Sequence, residues 1–95
     1  MRQVAELLSA PINFAVVQLP ERRFPGVVVQ GDTLNRFVTQ LTRMRELLTA
    51  NQLLELSEEI KDLEDQLADV RTHYQRVCAS QGIELPYPRD TDTAQ

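Results

Sequence analysis

The chain contains no tryptophan, one cysteine and three glycines. Each scarcity removes a class of protein. A single thiol, Cys78, can close no internal disulfide and build no thiolate metal cage, so a disulfide-stapled secreted scaffold does not fit and a reducing cytoplasm is the expected compartment. With only two tyrosines and three phenylalanines, any core must be mostly aliphatic. Gly26 and Gly31 form neither a dinucleotide fingerprint nor a phosphate loop. No run approaches the roughly 18 unbroken apolar residues of a spanning helix. The opening "MRQVAELLSAPINFAVVQLP" is interrupted by Glu6 and Pro11, and reads as mature protein rather than a signal peptide.

Catalytic constellations are equally sparse. His73 is the sole histidine, with no second histidine or cysteine at ligand spacing, so no metal site is expected. Cys78 lies five residues further on, a helical offset of roughly 140°, which does not make a cysteine–histidine pair. Ser9, Ser57 and Ser80 lack a nucleophile-elbow context. The neighbouring carboxylates sit on an open helix face and do not converge in a pocket, as general acid–base chemistry requires. These patterns predict neither an enzyme nor a cofactor.

What is present is periodicity and acid. At 95 residues the chain is long enough for one small core. The expectation is a single α+β domain over residues 1–88 and a frayed tail over 89–95. The net charge of −4 is unevenly spread. Residues 1–50 carry six basic and four acidic side chains, whereas residues 51–95 carry four basic and ten acidic ones. Such a surface repels nucleic acid and favours basic partners.

The first thirty residues read as strands. "VAELL" (residues 4–8), "FAVVQL" (14–19) and "VVVQ" (27–30) are apolar or β-branched runs, separated by "SAPIN" and by "PERRFPG". A two- to three-stranded antiparallel sheet follows, with an irregular loop in which Pro25-Gly26 suits a turn needing positive φ. Arg22 and Arg23 in that loop are turn charges or a small anion contact. From Asp32, apolar residues recur at Leu34, Phe37, Val38, Leu41, Met44, Leu47 and Leu48, an amphipathic helix of roughly 15–18 residues that Asp32 or Thr33 would cap.

From Leu53 a second seam runs through Leu56, Ile60, Leu63, Leu67, Val70, Tyr74 and Val77 in three- and four-residue steps. The step from Leu48 to Leu53 rotates the stripe by roughly 140° beyond a full turn. One straight rod would therefore present two diverging faces. A break at "TANQ", with Asn51 capping the second helix, lets both stripes face one core as an antiparallel helical hairpin packed on the sheet. Gly82 is placed to end the second helix in a left-handed conformation, with Ile83 folding back and Leu85 and Tyr87 pinning the extended "IELPYPRD" segment. Tyr74 carries a hydroxyl on the seam, which places that end near the surface. Cys78 reads as a small buried side chain. One end of the long seam outruns the first helix and needs cover from the sheet, the C-terminal segment or another chain.

Glu58, Glu59, Asp62, Glu64, Asp65 and Asp69 crowd the long helix with only Lys61 in opposition. Solvated positions account for some of them, but like charges at three- and four-residue spacing weaken a helix. Their number predicts a docking surface for a protein with a basic face, charge serving to speed and select the encounter. The concrete form is an immunity or inhibitor protein that neutralises a basic toxin or effector, without direct nucleic-acid or membrane binding. Two alternatives use the same residues. One is a structural homodimer built on the long-helix seam. The other is a phage-type inhibitor of a nucleic-acid-handling complex acting by charge mimicry.

The stretch "RRFPGVVVQGDTL", with "AVVQLP" before it and "HYQRVCASQGIELPY" near the end, resembles a family of small uncharacterised bacterial proteins of about ninety residues. Its pattern is an "N-x-AVV-x-LP" strand, an "FPGVVVQGD-S/T-L" junction, a helical pair and a terminal "GI-x-LPY". Residues 13–20, 24–34 and 82–87 match it, and Gln81 stands where members often have histidine. The resemblance implies the same α+β order and carries no established activity. Small size and acidic helices also look like those of immunity proteins, by analogy.

Overall fold

A computed structural model describes residues 5–8 and 14–88. The expected tail at 89–95, the "SAPIN" turn with Ser9, and Val4 lie outside the described residues. Three short strands come first: β1 (Glu6–Leu7), β2 (Val16–Gln18) and β3 (Gly26–Val27), followed by α1 (Gly31–Thr49) and α2 (Leu53–Ser80). The order is α+β, with an antiparallel sheet ordered β1-β2-β3.

Two compact units emerge. One is Val29–Arg71; the other gathers the described residues on either side of it, so α2 contributes to both.

In the strand-containing unit, β2 is central. Glu6 pairs with Gln18 and Leu7 with Val17 on one side, and Val16 with Val27 and Val17 with Gly26 on the other. Single bonds extend both ladders: Leu8 N–H donates to Val16 O and Val28 N–H to Ala15 O, each at 2.8 Å. The strands are shorter than their β-branched runs predict, and residues 28–30 are not strand. Val16 points inward and is fully buried with Tyr74, Val77 and Cys78 of α2. Val27, its cross-strand partner, packs against the same cluster with Leu8, Ile83, Leu85 and Tyr87. Cross-strand partners share a face, so one register places both valines on the helix.

The β2–β3 loop is irregular, as expected, but its positive φ falls elsewhere. Glu21 has φ 63°, while Gly26 has no positive φ and lies in β3. The Gln18 side chain organises this loop by donating to Leu19 O at 3.2 Å and Arg22 O at 2.7 Å. Tyr74 is buried, which corrects the surface position its hydroxyl suggested. The hydroxyl donates to Pro25 O at 2.8 Å and so finds its partner inside the protein.

Both helices end the same way. Asn51 has φ 58°, Asn51 N–H donates to Leu48 O and Gln52 N–H to Leu47 O. Gly82 has φ 68°, Gly82 N–H donates to Ala79 O and Ile83 N–H to Cys78 O. Each is a Schellman motif, a left-handed residue just past the helix whose bonds satisfy the last orphan carbonyls. Asn51 therefore terminates α1 and does not cap α2. At the other end of α1 the capping position is Gln30, without a side-chain cap bond, and Asp32 accepts from Thr33 N–H inside the first turn. α1 runs 19 residues because it starts at Gly31. Asn51→Gly is expected to be neutral or slightly stabilising, and Asn51→Val to cost about 1–2 kcal/mol because a β-branched residue resists positive φ. Urea denaturation followed by far-ultraviolet circular dichroism measures the difference.

Candidate functional site: two faces of the helical hairpin

Within Val29–Arg71 the two helices pack as an antiparallel hairpin, held along one edge by polar groups. Gln40 Nε2 donates to Asp62 Oδ2 at 3.1 Å and to Glu59 O at 3.4 Å. Gln66 Nε2 donates to Asp62 Oδ2 at 2.9 Å and to Gln40 Oε1 at 3.2 Å. Arg43 lies 3.7 Å from Glu55 and 3.5 Å from Glu59. These pairs run in opposite directions along the two helices, Gln40 with Gln66 and Arg43 with Glu55, which fixes the antiparallel order. Partly exposed pairs of this kind contribute little energy and chiefly set alignment.

The apolar stripes do not both turn fully inward. Leu34, Val38, Leu41 and Leu48 on α1, and Leu53, Ile60 and Leu67 on α2, are each 47–59% exposed, and Leu54 is 77% exposed. Leu47 is the buried large side chain of this unit. The helices meet along one flank of each stripe, where Leu47, Leu56, Leu63 and Val70 are buried or half-buried. The other flank opens as a groove of about 470 Å³ lined by Met44, Ile60, Leu63, Leu67 and Ala68, with Glu64 and Arg71 bearing the charges. Exposed apolar residues are ordinary when scattered; here seven of them lie together along the two helices.

The six carboxylates expected on one docking face divide three ways. At about 100° per residue, Glu58, Asp62, Asp65 and Asp69 fall within an arc of roughly 60° on the side of α2 away from the groove. All four are exposed. Lys61 Nζ lies 3.4 Å from Asp65. Glu59 turns toward α1 and Arg43. Glu64 stands on the groove. Asp62 serves the hairpin edge as well as the outer face, since it accepts from both glutamines.

The remaining chemical candidates lie in the strand-containing unit. Cys78 is a fully buried free thiol. His73 Nε2 is buried without a hydrogen-bond partner among the described residues. Burial, and then the Cys78 thiol beside it, push the Tyr74 hydroxyl up to about 12. Arg23 stacks over the Phe24 ring at 4.9 Å and lies 3.8 Å from Glu84, both at the surface. Among the described residues no group of three histidine, cysteine or acidic side chains is placed to hold a metal ion. No helix among them is long and apolar enough to cross a membrane.

The structure thus defines a small α+β protein with, among the described residues, a half-exposed apolar stripe along its helical hairpin. It belongs to a family of unknown function, DUF6959, whose model matches residues 1–87. No curated protein and no solved structure matches the chain.

Proposed function

We propose that the protein is a protein-binding module that acts by contact through its helical hairpin. The observation that carries this reading is the stripe of half-exposed leucine, valine and isoleucine side chains along both helices. Covering a half-exposed aliphatic side chain returns on the order of 1 kcal/mol at about 25 cal/mol per Å², so seven such residues supply the apolar centre of a specific interface. Opposite charges on the groove, Glu64 and Arg71, would fix the partner's register.

A second reading rests on the outer face of α2. Glu58, Asp62, Asp65 and Asp69 form a compact carboxylate strip, which suits an immunity or inhibitor protein recognising a basic toxin, effector or nucleic-acid-handling protein. A basic face would be drawn to this strip at a rate that falls steeply with salt.

One experiment separates the two. A photo-crosslinking side chain is introduced at Val38 in one variant and at Asp65 in another, and each is irradiated in the producing cell. Discrete protein adducts from the Val38 position are the expected result. Adducts from the Asp65 position alone would support the carboxylate strip as the docking face. Absence of protein adducts from both positions would overturn the protein-binding reading.

A further inference from the structure

The hairpin's apolar face has a chemistry that says what covers it. We propose that it is occupied by a second copy of the same hairpin, packed two-fold and antiparallel, so that α2 of each copy crosses the other beside Leu67 and Ala68. This rests on the protein-binding reading above and names its partner.

Three observations carry it. The first is area. Seven aliphatic side chains on this face are each about half exposed, a contiguous apolar patch of the kind that forms the centre of a standard interface of ~800 Å² per partner. The second is charge. The groove carries one acid, Glu64, and one base, Arg71, seven residues apart on α2 with Leu67 and Ala68 between them. A purely basic or purely acidic partner would leave one of them facing a like charge. A two-fold axis between Leu67 and Ala68 sets each Glu64 against Arg71 of the other copy, and each Leu67 against the small Ala68. Such a surface is self-complementary, as an isologous interface requires. The third is the position of the remaining acids. Glu58, Asp62, Asp65 and Asp69 lie roughly 110–170° around α2 from the two-fold point between Leu67 and Ala68, so two copies approach without bringing these carboxylates together. Glu59 is turned toward Arg43 of its own chain.

The resulting assembly is a four-helix arrangement in which Leu34, Val38, Leu41, Ile60 and Leu67 of both copies form a shared core. Leu54 lies off this face and contributes at the rim.

Sedimentation equilibrium on the full chain, from about 1 to 200 µM, reads the association. The expected mass is twice the 10.9 kDa of the chain. Leu67→Glu is expected to weaken association at least tenfold. Because Leu67→Glu also perturbs the hairpin's own apolar face, the decisive variants are Glu64→Arg and Arg71→Glu. Each alone places like charges opposite each other and weakens the dimer. Mixed together they restore two opposite-charge contacts per dimer, so the mixture is expected to form a heterodimer in preference to either homodimer. A wild-type chain that stays monomeric throughout that range overturns the proposal, as does a mixture with no preference for the heterodimer. Neither result touches the broader reading, which fails only when the Val38 and Asp65 crosslinks capture no protein.

Discussion

Replacing Val16 with aspartate is expected to remove the cooperative unfolding transition of the strand-containing unit. Val16 is 0% accessible and its side chain sits among Tyr74, Val77 and Cys78. An ionised carboxylate there has no cationic partner in that cluster. Leaving a buried charge uncompensated costs several kcal/mol. A small domain holds about 5–15 kcal/mol in total, so the substitution consumes much or all of the margin. Val16→Ala, which removes two methyl groups and leaves a small void, is expected to cost about 2 kcal/mol. Both tyrosines of the chain, Tyr74 and Tyr87, lie in or against this core. Tyrosine fluorescence therefore reports this unit, while far-ultraviolet circular dichroism reports mostly helix. The expected result is a graded loss in urea midpoint by tyrosine signal, alanine first and aspartate without a native baseline. An aspartate variant with an unchanged tyrosine transition would contradict the core described above.

How much of this was legible in the chain depends on which physical signal each element leaves. The helices leave two, period and punctuation. The three- and four-residue steps from Leu34 to Leu48 and from Leu53 to Val77 place both helices, and the phase jump between Leu48 and Leu53 places the break. Gly82 and Ile83 end α2 as the sequence predicts, because glycine past an apolar seam has one common use. Asn51 shows the ambiguity of that signal. Asparagine both caps helix starts and tolerates the left-handed conformation, and only the backbone angle shows that here it closes α1. The strands were legible as runs but not as lengths. β-propensity records side chains that fit a pleated surface, and pairing partners decide where a ladder stops. Val28 and Val29 are β-branched, yet the ladder has ended at the bond from Val28 to Ala15 and helix begins at Gly31.

The candidate site was legible in composition and obscure in arrangement. The acids of α2 were plain, but their division among the outer face, the hairpin edge and the groove follows from rotation about the helix and from the reach of Gln40 and Arg43. Uncovered apolar surface was expected only where the long seam outruns the first helix, whereas the exposed stripe runs along both helices. Leu34, Val38, Leu41, Met44 and Leu47 sweep roughly half of the α1 circumference at 100° per residue, which is wider than one helix–helix contact buries. That excess width was the available sign that the stripes would not both be consumed inside one hairpin. Finding a repeat identifies a helix; measuring the width of its apolar arc tells whether one neighbour is enough.

Tyr74→Phe is expected to lower stability by about 1–3 kcal/mol, because it strands the Pro25 carbonyl that the hydroxyl now satisfies at 2.8 Å. Pro25 is itself buried, so water does not readily replace the lost donor. The same hydroxyl makes the wild-type protein sensitive to alkali. Burial, with the neighbouring Cys78 thiol, raises it from an ordinary value of 10.0 to about 12. In the unfolded chain Tyr74 ionises near its ordinary value, whereas the folded state holds it neutral for longer. Its contribution to stability is therefore complete below pH ~10 and is lost progressively as pH rises from ~10 to ~12. Ionisation also removes the proton that Tyr74 donates to Pro25, so the tie between the β2–β3 loop and α2 disappears with the same titration. Phenylalanine at this position has no proton to lose. The variant is expected to begin less stable at neutral pH and to show a shallower decline over that alkaline window, so that the two stability curves converge. Urea midpoints measured by circular dichroism across the window test this directly. Curves that stay parallel to the highest pH would show that Tyr74 is not the group whose proton the folded state retains.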